Sequence, residues 1–172
     1  MVDIIGAADH AARLVSVKMP NVAGVEIAPW EADWAWGLPL ILLTVVLHVF
    51  GLALINDRVV RTVLRTTRHR VFVPMFAVIM AAAVLLATAL HGIEALAWAA
   101  AFRFLGAVPD NRAAMLYSLN AMTTYGHESV SLAPHWQMMG ALEALNGMLL
   151  FGLTTAFLFA MIQEVWQSHR RR

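Results

Sequence analysis

Three long apolar stretches, at residues 34–55, 71–102 and 136–165, constrain the fold of this chain more than any other feature. A helix needs about 20 residues to cross about 30 Å of hydrocarbon, and each stretch is long enough. Of the 172 residues, 60% are hydrophobic and only 13% are charged, whereas about 25% are charged in a soluble domain. The sequence therefore predicts an all-α integral membrane protein with three transmembrane helices.

The polar segments around these stretches predict the order of the parts along the chain. We expect an extracytoplasmic or interfacial segment at 1–33, a first transmembrane helix at 34–56 and a basic cytoplasmic loop at 57–70. A second transmembrane helix should follow at 71–105, then a region with a short helix and the last transmembrane helix at 106–165, and a basic cytoplasmic tail at 166–172. Arginine is concentrated in the loop and the tail, so the positive-inside rule places both in the cytoplasm and the N-terminus outside.

Two polar segments allow more than one interpretation. Apolar residues recur at helical spacing between Ile4 and Val15, which favours an amphipathic interfacial or subunit-contacting helix, with a loosely ordered tail as the alternative. Arginines recur at steps of three and four in the basic loop, at positions 58, 61, 65 and 68. They predict a helical face that lies on anionic lipid. A voltage sensor would need such arginines inside an apolar span, so we do not expect one.

Residues 111–122 predict a short helix between the second and third spans, with Asp110 as its N-cap. Such a helix is about 18 Å long, which is too short to cross a bilayer. It runs into a Thr- and Gly-containing loop before the last span. This order predicts a re-entrant loop, because non-helical backbone at membrane depth is tolerated only where protein buries it or water lines it.

The segment 111–162 resembles the pore domain of tetrameric potassium-type ion channels. The filter of that family reads Thr-Thr-x-Gly-Tyr-Gly-Asp, and here those places are taken by Thr123, Thr124, Tyr125, Gly126, His127, Glu128 and Ser129. The run FGLTTA at 151–156 matches the inner-helix segment that follows the pore loop, and Gly147 takes the usual hinge position. The resemblance is strong over about the last third of the chain and loose over the two preceding spans.

The resemblance implies a passive, potassium-channel-like cation channel in which four copies form one pore in a bacterial cytoplasmic membrane. Region 106–165 would supply the pore helix, the filter loop and the inner helix. The carbonyl groups of Thr124, Tyr125 and Gly126 would form the inner ion sites. We expect lipid and further copies of the chain as partners, an auxiliary subunit as an open possibility, no nucleic acid and no enzyme activity. The permeant cation, K⁺, Na⁺ or a divalent ion, is the only ligand expected, with no cofactor.

The outer half of the filter departs from the family pattern at His127, Glu128 and Ser129. Glu128 replaces a glycine, and a side chain in a left-handed backbone costs about 1–2 kcal/mol. We therefore expect weakened or changed ion selectivity, with four Glu128 and four His127 around the outer mouth. Carboxylate rings select cations, and with imidazole they can hold a divalent ion. In the alternative interpretation Glu128 turns sideways, and the protein is a nonconducting sensor, subunit or metal-binding membrane protein.

Polar residues inside the spans are further candidates for function. His91 and Glu94 lie on one helix face and predict either a metal or proton site, which His127 and Glu128 are also candidates to join, or an interhelical hydrogen-bonded pair. Glu143 is predicted to lie behind the short helix and to hold either Tyr117 of that helix or the filter loop in place.

The last span carries two further candidates beside the predicted pore. Asn146 is predicted to line the cavity. Gly147 and Gly152 allow either bending or close helix packing, and close packing is favoured for Gly152.

In a rival interpretation, the protein binds haem with His48 and His91 as axial ligands. Counted from the predicted cytoplasmic ends of their helices, they lie about 14 Å and about 30 Å deep, so the sequence argues against a shared iron. The chain has no cysteine, which excludes disulfides and cysteine-based metal sites.

Overall fold

The computed structural model describes residues 31–66, 72–126 and 130–170. These residues form four α-helices: α1 (Glu31–Thr66), α2 (Phe72–Phe104), α3 (Asn111–Met122) and α4 (Gln137–Arg170), with a 3-10 turn at Pro134–Trp136 just before α4. No strand occurs in the described ranges. The all-α prediction is therefore confirmed. The predicted N-terminal helix between Ile4 and Val15 lies outside the described residues.

Three of the four helices contain a stretch long and apolar enough to cross a membrane. These stretches are Glu31–Arg58, Val73–Phe104 and Pro134–Gln167. Large apolar side chains on their outer surfaces are exposed, among them Phe50 (72%) and Leu85 (70%). A surface of this kind is compatible with a multi-pass membrane protein, as the sequence predicted.

The first helix is longer than the sequence predicted. The apolar span ends at Arg58, close to the predicted residue 56, but the helix itself continues to Thr66, so residues 57–66 are helical and do not form a loop. The arginine spacing of three and four suits a helix, and an ion pair between Asp57 and Arg61 supports this last part of α1. Residues 67–71, which include Arg68, lie outside the described ranges.

The three long helices pack side by side, and α3 lies against α2 and α4. One apolar core fills the end of the bundle that holds α3, and it includes Trp98, Phe102, Tyr117, Trp136, Met139 and Leu142. A second core fills the opposite end between α1, α2 and α4, and it comprises Leu52, Ile55, Ile79, Ala83, Met161 and Val165. The buried polar residues His48, Glu94 and Thr154 lie at a level between these two cores.

The connection from α2 to α3 is fixed by side-chain hydrogen bonds. Asp110 accepts a bond from the backbone N–H of Ala113 at 2.9 Å, which confirms the predicted N-cap. Arg103 donates to the carbonyl of Val108 at 2.7 Å and to the side-chain oxygen of Asn111 at 2.6 Å. These bonds hold the start of α3 close to the end of α2.

The start of α4 is capped from the first turn of α1. The buried carboxylate of Asp33 accepts a hydrogen bond from the backbone N–H of Met139 at 2.9 Å. The first N–H groups of a helix have no partner within the helix and favour a negative charge. The contact places the starts of α1 and α4 at the same end of the bundle, so these two helices run parallel.

Candidate functional site

The last turn of α3 rests directly on the backbone of α4. A Cβ atom added to Gly147 would lie 2.3 Å from the carbonyl oxygen of Met122 and 2.6 Å from its Cα. Only glycine allows this approach. Gly147 lies about 15 Å along α4 from its start, so α3 ends beside α4 about a third of the way along the long helix. The sequence left bending and close helix packing open for Gly147, and the structure shows close packing.

The close packing favoured for Gly152 is absent from the described chain. A Cβ atom added there would have no described atom within 4 Å. Five residues beyond Gly147, α4 has turned this glycine to the outer surface.

A tight reversal follows α3. The backbone N–H groups of Thr124 and Tyr125 donate back to the carbonyls of Ala121 and Asn120, at 3.0 and 2.9 Å, which is the Schellman pattern of helix ends. Thr124 sits at its left-handed position with φ +56°, where glycine is usual. A β-branched residue at positive φ is an outlier, and such strain is found at functional sites.

The reversal exposes the residues predicted to form the inner filter. Tyr125 is 85% exposed, and Gly126 continues at φ +99°. The hydroxyl group of Thr123 donates to the carbonyl of Leu119 at 2.7 Å and belongs to the helix end. His127, Glu128 and Ser129, the predicted outer mouth, lie outside the described residues, so their roles stay predictions.

Glu143 of α4 contacts the buried face of α3. Its side chain is wholly buried, and Oε1 accepts a hydrogen bond from the hydroxyl group of Ser118. The sequence suggested Tyr117 as the partner of Glu143, whereas the actual partner is the next residue, Ser118. Tyr117 packs edge-on against Phe102, and its hydroxyl occupies the space over Gly140, 2.0 Å from an added Cβ.

The Tyr117 phenol stays protonated in this position. Burial, and to a smaller extent the nearby Glu143, raise the pKa of Tyr117 to about 12. Polar and steric contacts therefore fix α3 on α4.

Asn146 does not line a cavity, so that prediction is wrong. Its side chain is fully buried, and its amide donates to the hydroxyl oxygen of Thr44 at 2.8 Å. The face of α4 that carries Asn146 is turned towards α1. A buried amide needs a hydrogen-bond partner, and Thr44 on the neighbouring helix supplies it.

A second polar group lies in the middle of the bundle, where four side chains from three helices meet. His48 of α1 contacts Oε1 of Glu94 through Nδ1 at 2.8 Å and the hydroxyl of Thr154 through Nε2 at 3.0 Å. His91 contacts the same hydroxyl through Nε2 at 3.1 Å. We call these four residues the central cluster.

One side of the central cluster is left open. Nδ1 of His91 lies 3.2 Å from Oε2 of Glu94, but the two atoms do not meet hydrogen-bond geometry, and both are buried without a partner in the described structure. One ligand atom from each of His48, His91 and Glu94 lies within 4.8 Å of the others. The structure thus brings His91 and Glu94 together with His48, whereas His127 and Glu128 are not described.

The central cluster corrects the depths inferred from the sequence. His48 lies 18 residues before the end of α1 at Thr66, and His91 lies 19 residues after the start of α2 at Phe72. Both therefore lie about 27–28 Å from the connection between the helices. The depths inferred from the sequence differ because they assume that the first helix ends near residue 57. The ring centroids are 5.0 Å apart, which leaves no room for a haem between them.

Sequence reasoning singled out His91 and Glu94 but gave neither His48 nor Thr154 a place beside them. The position of His48 near the middle of an apolar helix is the signal that could have identified it as a site residue. Thr154 gave no signal, because a lone threonine in a membrane helix commonly bonds to its own backbone.

No protein-family model, curated protein or solved structure matches the chain. An assignment of function therefore depends on the geometry of the α3 end and of the central cluster.

Proposed function

We propose that this protein is one subunit of a tetrameric cation channel, in which α3 is the pore helix. The observation that carries the proposal is the position of α3. It has 12 residues, too few to cross a bilayer, and it ends against Gly147 about a third of the way along α4. A helix that enters a bundle part-way and then reverses has the form of a re-entrant segment, whose backbone must face protein or water.

The electrostatics at the end of α3 suit a cation. A helix C-terminus carries about half a negative charge. The N–H groups of Thr123, Thr124 and Tyr125 all donate back to α3. Among the described backbone hydrogen bonds, none is accepted by the carbonyls of 123–126. Exposed carbonyl oxygens beside a negative helix end can replace the water around an ion when four copies meet.

The outer face of α4 supports assembly of several copies. Exposed residues recur along it at alternating steps of three and four, namely Met138, Ala141, Leu145, Met148 and Gly152. A repeat of 3.5 residues is typical of one helix packed along another. In the proposed tetramer this stripe faces the neighbouring copies and the pore.

The proposed channel lies in a bacterial cytoplasmic membrane with the N-terminus outside, and it conducts K⁺, Na⁺ or a divalent cation. Its selectivity differs from that of a potassium filter because His127, Glu128 and Ser129 replace the usual outer residues. A carboxylate ring at the mouth attracts cations, and acid, which removes its charge, reduces their flux.

Ion flux through purified protein in liposomes tests the proposal. K⁺, Na⁺ and a divalent ion are compared at two pH values, for wild type and for Glu128→Gln. We expect cation flux that falls in acid, and a changed ion preference in the variant. Flux in Glu128→Gly but not in wild type would mean a pore that is closed at its outer filter. Absence of flux in every protein would contradict a homomeric channel.

Two glycines offer a matched pair for the filter backbone. Gly126 and Gly106 both have positive φ, +99° and +68°, and an added Cβ meets nothing within 4 Å at either position. Alanine therefore costs each site a similar backbone strain of about 1–2 kcal/mol. We expect Gly126→Ala to reduce cation flux at least tenfold and Gly106→Ala to leave it unchanged. Equal flux in the two variants would contradict a filter at 123–126.

A further inference from the structure

We infer that His48, His91 and Glu94 form a binding site for a divalent transition metal of the zinc type in the middle of the helix bundle. Two imidazoles and one carboxylate are a ligand set used for zinc and for other first-row metals. The donors come from two neighbouring helices, with His91 and Glu94 three residues apart on one face of α2. The inference does not depend on ion conduction, since it concerns the centre of a single chain.

The hydroxyl group of Thr154 holds both imidazoles in the orientation that a metal requires. Its oxygen lies 3.0 Å from Nε2 of His48 and 3.1 Å from Nε2 of His91. A hydroxyl oxygen has two lone pairs, so it can accept an N–H from each ring. With a metal bound, both Nδ1 atoms would present lone pairs to it, and the metal would replace the hydrogen bond that Nδ1 of His48 makes with Oε1 of Glu94 at 2.8 Å in this structure. Metal-bound histidines commonly donate their other N–H to an outer partner in this way.

The open side of the central cluster shows where a cation is needed. Nδ1 of His91 and Oε2 of Glu94 are both buried and have no hydrogen-bond partner among the described residues, which is costly for polar atoms away from water. They lie 3.2 Å apart. Two ligands of a tetrahedral zinc ion, each at about 2.0–2.2 Å, are separated by about 3.4 Å. A metal between the two atoms would satisfy both.

The surroundings of the site favour occupancy by a cation. Glu94 is wholly buried near the middle of an apolar helix, where an uncompensated carboxylate is expensive. The side chain of His91 remains 13% exposed, and its ring stacks on Phe151 at 4.5 Å.

Cobalt binding to the purified protein tests the inference. Protein without a polyhistidine tag is purified in detergent, stripped with a chelator and titrated with Co²⁺, whose visible absorption reports nitrogen and oxygen ligands in a closed site. We expect one Co²⁺ per chain, displacement by Zn²⁺, and a rise in Tm with either ion. If no absorption band forms and Tm does not change, the inference is wrong.

Variants with close controls distinguish specific binding from adventitious binding. Thr154→Val keeps the side-chain shape but removes the shared acceptor, and we expect affinity to fall about 10–100-fold. Thr155→Val is the control, because the neighbouring hydroxyl bonds to the carbonyl of Phe151 in its own helix. Glu94→Gln should abolish Co²⁺ binding, whereas Glu143→Gln, a change at the other buried glutamate of α2 and α4, should not. Equal Co²⁺ affinity in both threonine variants, or retained binding in Glu94→Gln, would overturn the assignment.

Discussion

Glu94 and Glu143 are both wholly buried glutamates on long apolar helices, yet they have different neighbours. Glu94 faces two imidazoles, from His48 and His91, and through them a hydroxyl group on a third helix. Glu143 has one hydrogen bond, from Ser118 of the short helix α3. The first carboxylate thus joins three long apolar helices at one point, whereas the second joins one long helix to one short one.

This difference indicates how each region is held. Around Glu143, shape contributes most of the contact, because Gly147 admits the backbone of Met122 and Gly140 admits the hydroxyl group of Tyr117. Around Glu94, contacts between polar atoms of three helices hold the region. We therefore expect the central cluster to be sensitive to the loss of a partner, and the α3 contact to be sensitive to added volume.

The largest expected effect comes from Glu94→Leu. Leucine removes the carboxylate that faces Nδ1 of His48 and of His91, and each buried polar atom left without a partner costs about 1–3 kcal/mol. Unfolding in detergent with increasing denaturant measures the loss of free energy of unfolding. Glu94→Gln, which keeps an oxygen acceptor, should lose less. A loss below about 1 kcal/mol in Glu94→Leu would mean that the central cluster does not hold the three helices together.

The next largest effect is expected from Gly147→Ala. The new methyl group would meet the backbone of Met122, which cannot move aside as a flexible side chain can, and overpacking of this kind costs about 2–3 kcal/mol. Thermal unfolding of the purified protein measures it. In the control Gly92→Ala on α2, the methyl group meets no described atom within 4 Å, and better helix propensity should raise stability by up to about 1 kcal/mol. Equal destabilisation in both variants would contradict the importance of the α3 contact.

A smaller effect is expected from Ser118→Ala. It leaves the carboxyl group of Glu143 buried without its hydrogen bond, at a cost of about 1–2 kcal/mol. The double variant Ser118→Ala with Glu143→Leu removes both polar partners and should recover part of the loss. A double-mutant cycle on free energies of unfolding gives the coupling. Additive effects would show that the two side chains do not stabilise each other.

The smallest effect is expected from Thr44→Val, which removes the acceptor for the buried amide of Asn146. Hydrogen bonds between membrane helices contribute about 0.6 kcal/mol on average, and a shift of this size should be seen in the same unfolding assay. Asn146→Leu combined with Thr44→Val should be no worse than Thr44→Val alone. A loss comparable with that of Glu94→Leu would contradict the distinction between a single hydrogen bond and the central cluster.

The sequence was sufficient for features that depend on neighbouring residues. The length of the apolar stretches predicted three spans, and the bounds of α3 with Asp110 as its cap followed from local composition. The axial shift of one helix relative to its neighbour could not be predicted from neighbouring residues. The end of α1 was placed about ten residues early, and that error alone separated His48 from His91.

Periodicity also has a limit, because it shows which residues share a face but not which neighbour the face meets. Asn146 beside Gly147 suggested a wet cavity, whereas α1 supplies Thr44 at that position. Thr154 is similar, since only the packing of α4 against α1 and α2 brings its hydroxyl group between two imidazoles.

The cap that Asp33 provides for α4 has a consequence for movement. Asp33 and Met139 are 106 residues apart in sequence, and so are His48 and Thr154, which means that α1 and α4 keep the same register over about 22 Å. Between these two levels Asn146 also bonds to Thr44, so the two helices are joined at three levels, and α4 cannot slide by one turn without breaking all three contacts at once. In the proposed channel, displacement on opening is expected in the part of α4 beyond Thr154, where none of these contacts holds the helix.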